Sequence, residues 1–109
     1  MRPPLSPAAA GILRGLIARA KIERERVLLS NFRSIDWQSL TFIGERHEIR
    51  LIILPPEARE AAARIIDRLA DAEWHIAGQI VADIGLAAPN CVNTDGSVSL
   101  SLEALTIAE

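Results

Sequence analysis

The sequence has few aromatic side chains and almost no cysteine. It contains no tyrosine, two tryptophans and two phenylalanines, so aromatic residues make up 4% of its 109 residues. Half of the chain is apolar, so the core is expected to be aliphatic. The single cysteine, Cys91, excludes a disulfide within the chain. Because free thiols are typical of reducing compartments, we expect a cytoplasmic protein.

The sequence also lacks the motifs of cofactor and metal chemistry. His47, His75 and Cys91 do not follow the spacing of metal ligands. No phosphate-binding loop, nucleophile elbow or dinucleotide fingerprint is present. We therefore expect no metal and no cofactor. The sequence favours a non-enzymatic protein but leaves an enzyme open.

Two classes of partner are disfavoured by hydropathy and charge. No apolar run approaches the roughly 20 residues that span a bilayer, so no membrane association is expected. Residues 1–33 carry seven basic and two acidic side chains, but the whole chain has a net charge of −2. The basic residues are spread around the predicted first helix, and side chains that stack on bases are scarce. Nucleic acid is therefore an unlikely partner.

Hydrophobic spacing predicts two helices. Residues 1–5 contain two prolines and are predicted to be flexible. Ser6 and Pro7 are typical of a helix start, and apolar residues continue at helical spacing to about Leu29. The small residues of this helix predict a close approach of another backbone. The second helix follows Pro55 and Pro56, where residues 57–72 carry a clear amphipathic stripe.

Four strands are predicted from alternating patterns. The segments 35–43 and 46–54 form a hairpin if Gly44 and Glu45 make a two-residue turn. That turn places His47 near solvent at the sheet end, with Glu48 on the opposite face, which argues against a reaction centre in the stretch GERHE. The third strand is predicted from Trp74 onward and the fourth from Val98. A flexible loop, residues 87–96, connects them, and a bulge or a strand end is predicted near Leu105.

The element order is therefore α-β-β-α-β-β. It predicts one two-layer α+β domain over residues 6–109, with a four-stranded antiparallel sheet and two helices on one face. This order matches a circularly permuted ferredoxin-like layout. We call the predicted sheet face without helices the outer face.

The outer face suggests the function. Apolar side chains on it would need covering, which favours a protein-interaction domain that self-associates, as a dimer, or binds a protein partner. The interface candidates are Ile35, Trp37, Ile52, Leu54, Val81, Leu105 and Ile107. The alternative is a small-molecule binder or weak enzyme that uses a shared polar strand face, with His75, Gln79, Asp83 and Arg50 as ligand-binding candidates. A regulator or inhibitor of a larger protein is a third alternative.

Overall fold

The structure is a computed structural model that describes residues 4–109. It confirms an α+β architecture with two helices and an antiparallel sheet, but the sheet has five strands rather than the predicted four. The elements are α1 (Pro7–Ala20), β1 (Val27–Gln38), β2 (Ile43–Ile53), α2 (Ala58–Ile66), β3 (Gln79–Leu86), β4 (Cys91–Val92) and β5 (Val98–Ala108). The strand order is β1-β2-β5-β3, and β4 pairs with β5 beyond the end of β3. Of the segment predicted to be flexible, residues 1–3 lie outside the described residues.

Helix α1 begins as predicted but ends earlier. The side chain of Ser6 accepts a hydrogen bond from the backbone N–H of Ala9 at 3.1 Å, and Pro7 is the first helical residue. Lys21 adopts a left-handed conformation (φ 55°) that ends the helix at Ala20 rather than near Leu29. Val27 opens β1 instead, because its segment pairs with the end of β2. Apolar residues at helical spacing fit a strand equally well when a sheet partner is available.

The predicted Gly44–Glu45 turn is wrong, because both residues lie inside β2. The chain turns at residues 39–42, where the backbone N–H of Ser39 donates to the carbonyl of Phe42 at 2.9 Å. Trp37 consequently pairs with Gly44, not with Ile52. The register differs by an even number of residues, and side chains alternate with a period of two. The predicted faces of Trp37 and Ile52 are therefore unchanged.

Both helices pack on one side of the sheet, which we call the covered face. Side chains from α1, α2, β2 and β5 form one aliphatic core, centred on Ile12, Leu16, Ile65, Leu51 and Leu100. Gly11 and Gly15 of α1 pack against side chains rather than against another backbone. A Cβ at Gly11 would lie 2.8 Å from Ile76, and one at Gly15 would lie 2.4 Å from the ring of Trp74. The segment that carries these two side chains is a loop, so β3 starts at Gln79 rather than at Trp74.

The last predicted loop is more ordered than expected. β4 pairs with the start of β5, and the side chain of Asn93 donates to the hydroxyls of Ser97 at 2.9 Å and Ser99 at 3.1 Å. β5 runs without a register shift against β2, so the bulge predicted near Leu105 is wrong. The irregularity lies in β3, between Val81 and Asp83.

Candidate functional site

The outer face is a grid of side chains in rows that cross the strands. Strand pairing places in one row the residues that oppose each other in β1, β2, β5 and the β3–β4 edge. From the turn at residues 39–42 the rows are Trp37, Gly44, Ile107, Ile80; Ile35, Arg46, Leu105, Asp83; Arg33, Glu48, Glu103, Gly85; Asn31, Arg50, Ser101; and Leu28, Ile52, Ser99, Cys91. The character of the face therefore changes from apolar to charged and then to mixed.

The first two rows are apolar except for Arg46 and Asp83, and we call them the apolar end. Ile35 is 38% exposed and Ile80 is 51% exposed, and Trp37, Leu105 and Ile107 are half-buried. The adjoining turn adds Leu40 and Phe42, which are also exposed. Neither α1 nor α2 covers these rows, since both helices pack on the other side of the sheet.

Charge on the outer face is divided between two halves. The half formed by β1 and β2 carries Arg33, Arg46, Arg50 and one carboxylate, Glu48. The half formed by β5 and β3 carries only carboxylates, Glu103 and Asp83. All six side chains are exposed. One half is therefore net positive by two charges and the other net negative by two.

Five of the seven predicted interface residues lie on this face: Ile35, Trp37, Ile52, Leu105 and Ile107. Val81 does not, because it opposes the buried Thr106 and packs against the core on the covered face. The prediction missed the irregularity in β3 and so gave Val81 the wrong side. Leu54 lies just after β2, half-buried, and its backbone N–H donates to the carbonyl of Arg26 at 2.8 Å.

The predicted shared polar face of the ligand-binding candidates is not formed. His75 is exposed in the loop before β3. Gln79 opposes Ala108 on the covered face, whereas Asp83 opposes Leu105 on the outer face. The irregularity at residue 82 reverses the side on which the following residues point, so strand alternation alone gave the wrong grouping. Arg50 lies on the outer face beside Ser101, in a shallow depression of about 170 Å³ that Asn31 also lines.

A buried polar cluster lies on the covered face, at the end that the core leaves free. His47 is 0% exposed, and not near solvent as predicted. Its Nδ1 lies 2.8 Å from the hydroxyl of Ser34 on β1, and its Nε2 lies 2.9 Å from Oγ1 of Thr106 on β5. The shifted hairpin register explains the error, because it brings Ser34 opposite His47.

The hydrogen bonds of this cluster have one consistent direction. The hydroxyl of Thr106 donates to the carbonyl of Glu45 at 3.4 Å, so its oxygen is left to accept from Nε2–H of His47. Nδ1 is then unprotonated and accepts from the hydroxyl of Ser34. Burial lowers the pKa of His47 below its usual 6.5, against an opposing effect of the Glu45 carboxylate, so the ring is neutral at pH 7. Sequence analysis missed this cluster, because its three side chains come from three separate strands.

Metal and membrane features are absent from the part of the chain that the structure describes. No group of three or more histidine, cysteine, aspartate or glutamate residues within 4–109 is arranged to hold a metal ion. No helix of this range is long and apolar enough to cross a bilayer. No family model, curated protein or solved structure matches the chain.

Proposed function

We propose that this protein is a protein-interaction domain whose outer face binds the outer face of a second copy. The observation that carries the proposal is the uncovered apolar end of the sheet beside two halves of opposite charge. Exposed contiguous apolar surface on a small domain is typical of an interaction site. The charges identify the second copy as the occupant.

The size of the face supports a specific dimer. β2 and β5 are each 11 residues long. β1 has 12 residues and β3 has 8. With about 3.4 Å per residue and about 4.8 Å between strands, the four strands together present roughly 700 Å². Stable interfaces bury about 800 Å² of each partner, so the face is of suitable size when side-chain relief is included.

The charge pattern selects one arrangement of the two copies. A two-fold axis parallel to the strands, between β2 and β5, lays the positive half of one copy on the negative half of the other. Glu103 of each copy then lies directly opposite the partner's Glu48, whereas the partner's Arg46 and Arg50 lie one row to either side. The same axis sets Trp37 opposite the partner's Ile80. An axis across the strands would instead stack Arg33 on Arg33 and Glu48 on Glu48.

Sedimentation equilibrium of the wild type and of Ile35→Asp tests the proposal. We expect a dimer whose dissociation constant rises at least about tenfold in the variant, because a carboxylate is then buried at the apolar end. Leu86→Asp is the matched control: Leu86 is 39% exposed, close to the 38% of Ile35, but lies on the covered side of the sheet. Circular dichroism checks that both variants are folded. A wild type that stays monomeric to millimolar concentration would refute the proposal.

A charge exchange tests the arrangement. Glu48→Arg is expected to tighten the dimer, because it replaces the carboxylate that faces the partner's Glu103 with an arginine, and Glu103→Arg added to it is expected to remove that gain. The wild-type dimer should also weaken with salt, since exposed charges are screened beyond about 8 Å at physiological ionic strength. A Glu48→Arg variant that dimerises no more tightly than the wild type would contradict the strand-parallel axis.

We further propose that the fold is a permuted ferredoxin-like layout with one added short strand. Support comes from the order β1-β2-β5-β3 with antiparallel neighbours, which is the order that a four-stranded ferredoxin-like sheet takes when its first strand is moved to the end of the chain. β4 is then an extension of the β3 edge. A solved crystal structure in which the strands pair in another order would contradict this assignment.

A further inference from the structure

The cluster around His47 is arranged to activate a serine. The hydroxyl of Ser34 donates to Nδ1 of His47 at 2.8 Å, within the range in which a base assists a nucleophile. Thr106 holds the other ring nitrogen at 2.9 Å and thereby fixes the tautomer and orientation of the ring. A histidine held by a third group beside a hydroxyl is the general pattern of an activated nucleophile.

Ser34 differs from His47 in its access to solvent. His47 is fully buried, whereas Ser34 is half-buried and lines an open depression of about 500 Å³. Pro4, Leu5 and Phe32 line one part of the same depression, and Ser6, Arg33 and Glu45 line the rest. An apolar group can therefore lie beside the hydroxyl while the base stays shielded from water.

We propose that Ser34 is a nucleophilic serine, activated by His47, that accepts acyl groups from short uncharged esters bound in this depression. This activity is independent of the proposed self-association, because Ser34 lies on the covered side of the sheet and the dimer uses the outer face. Failure of one proposal leaves the other standing.

The chemistry needs only ester and water. The Ser34 oxygen forms a bond to the ester carbonyl carbon while its proton passes to Nδ1 of His47. The ester C–O bond then breaks, and the alcohol leaves with that proton. Water attacks the acyl-serine by the same proton route, which releases the carboxylic acid and restores the Ser34 hydroxyl. No electrons are transferred to or from an external partner.

Labelling of the wild-type protein with phenylmethylsulfonyl fluoride tests the nucleophile. Attack forms the Ser34 O–S bond and expels fluoride, so peptide mass spectrometry reports the labelled serine. The internal control is Ser30, which is more exposed on the same strand and contacts neither histidine in the described hydrogen bonds. We expect Ser34 to react about 100-fold faster than Ser30, as general-base assistance gives factors of 10²–10⁴. Equal labelling of the two serines would overturn the proposal.

The pH dependence of labelling distinguishes a Ser34 activated by His47 from a serine that is only exposed. Glu45 and Asp36 are the charged groups at this end of the covered face, with Ser34 and Thr106 as the hydrogen-bond partners of the ring. Labelling of Ser34 should fall as His47 is protonated, at a pH below 6.5, and should be flat above pH 7. Thr106→Val is expected to remove most of the excess of Ser34 over Ser30. A rate that follows hydroxide concentration throughout would overturn the proposal.

A thiol substitution gives a second, self-controlled measurement. In Ser34→Cys the chain carries two thiols, of which Cys91 is exposed and has no histidine partner. The alkylation rate of an ordinary thiol falls roughly 200-fold from pH 9 to pH 6, given its pKa of about 8.5. The ratio of rates at the two pH values cancels accessibility. We expect the alkylation rate at position 34 to fall less than about tenfold between pH 9 and pH 6. A fall of roughly 200-fold there, as for an ordinary thiol, would overturn the proposal.

Hydrolysis of the ester p-nitrophenyl acetate tests whether the protein turns over a substrate. We expect release of p-nitrophenol by the wild type at least about tenfold faster than by Ser34→Ala, with Ser30→Ala at the wild-type rate. Ser34→Ala should be checked for folding by circular dichroism. Equal rates for the wild type and a folded Ser34→Ala would overturn the assigned activity.

Discussion

The two faces of the sheet differ although the same strands build both. β2 points Ile49, Leu51 and Ile53 toward the helices, where all three are buried, and points Glu48 and Arg50 to solvent on the other side. The covered face is completed by α1 and α2 from the same chain. The outer face begins apolar and becomes charged. One face is therefore closed by the chain itself, whereas the apolar end of the other carries exposed side chains such as Ile35 and Ile80.

The covered face also differs along its own length. Its middle is aliphatic, but its end toward the turn at residues 39–42 is closed by hydrogen bonds of His47 with Ser34 and Thr106. A buried polar group costs stability unless it is hydrogen-bonded. The stability of this end therefore depends on the hydrogen-bond partners of His47, whereas that of the middle depends on how well aliphatic side chains fill the core.

The largest effect on stability is expected at Gly44, where the backbones of β2 and β5 approach each other closely. A Cβ at Gly44 would lie 2.0 Å from the carbonyl oxygen of Thr106, so β2 and β5 would have to separate. We expect Gly44→Ala to lower the free energy of unfolding by about 3 kcal/mol or more. Gly85→Ala is the control, since a Cβ there meets nothing within 4 Å, and its effect should stay within about 0.5 kcal/mol. Urea denaturation measures both, and similar losses would contradict the close approach.

Neighbouring residues of β2 sharpen the comparison of the faces. Leu51 is fully buried in the core, and Ile52 is half-buried on the outer face. We expect Leu51→Ala to cost about 3 kcal/mol and Ile52→Ala about 1 kcal/mol in dilute protein. If the outer face self-associates, the cost of Ile52→Ala should grow with protein concentration while that of Leu51→Ala stays constant. Thermal unfolding at several concentrations provides the measurement, and a constant cost for both variants would count against the dimer.

The packing that holds α1 on the covered face is tested at Gly15. An alanine there would place its Cβ 2.4 Å from the ring of Trp74, which must then move. We expect Gly15→Ala to cost about 1–2 kcal/mol. Near-ultraviolet circular dichroism should change with it, because the environment of one of two tryptophans is altered. An unchanged spectrum at unchanged stability would contradict the contact.

The smallest effect on the free energy of unfolding is expected from the polar end of the covered face, and only at acidic pH. The pKa of buried His47 is lowered below 6.5 in the folded protein, so the unfolded chain binds more protons. Stability is therefore complete above about pH 6.5 and falls as the pH is lowered toward the folded-state value. Urea unfolding at pH 7.5 and pH 5.5 checks this, with the exposed His75 replaced by Gln in the control protein. A control that loses the acid dependence would show that His47 is not its source.

Much of the fold was predictable, but the buried cluster of Ser34, His47 and Thr106 was not. Ser6 and Pro7 predicted the start of α1, and the stripe of residues 57–72 predicted α2, because caps and amphipathic spacing are local signals, although α2 ends at Ile66. The end of α1 and the hairpin turn were predicted wrongly. Val27 and Gly44 fit two local structures each, and strand pairing over long sequence distances selected between them.

The sequence by itself determined the α+β fold class and the sheet faces on which side chains of the first two strands lie. Side chains in strands alternate with a period of two, so Ile35, Trp37 and Ile52 were assigned to the outer face despite the wrong register. Only the tertiary structure decided which residues meet across strands. It separated Gln79 from Asp83 through one irregularity and joined Ser34, His47 and Thr106 through pairing of three strands. Such contacts depend on register, which the free energy of the whole sheet sets and no local pattern encodes.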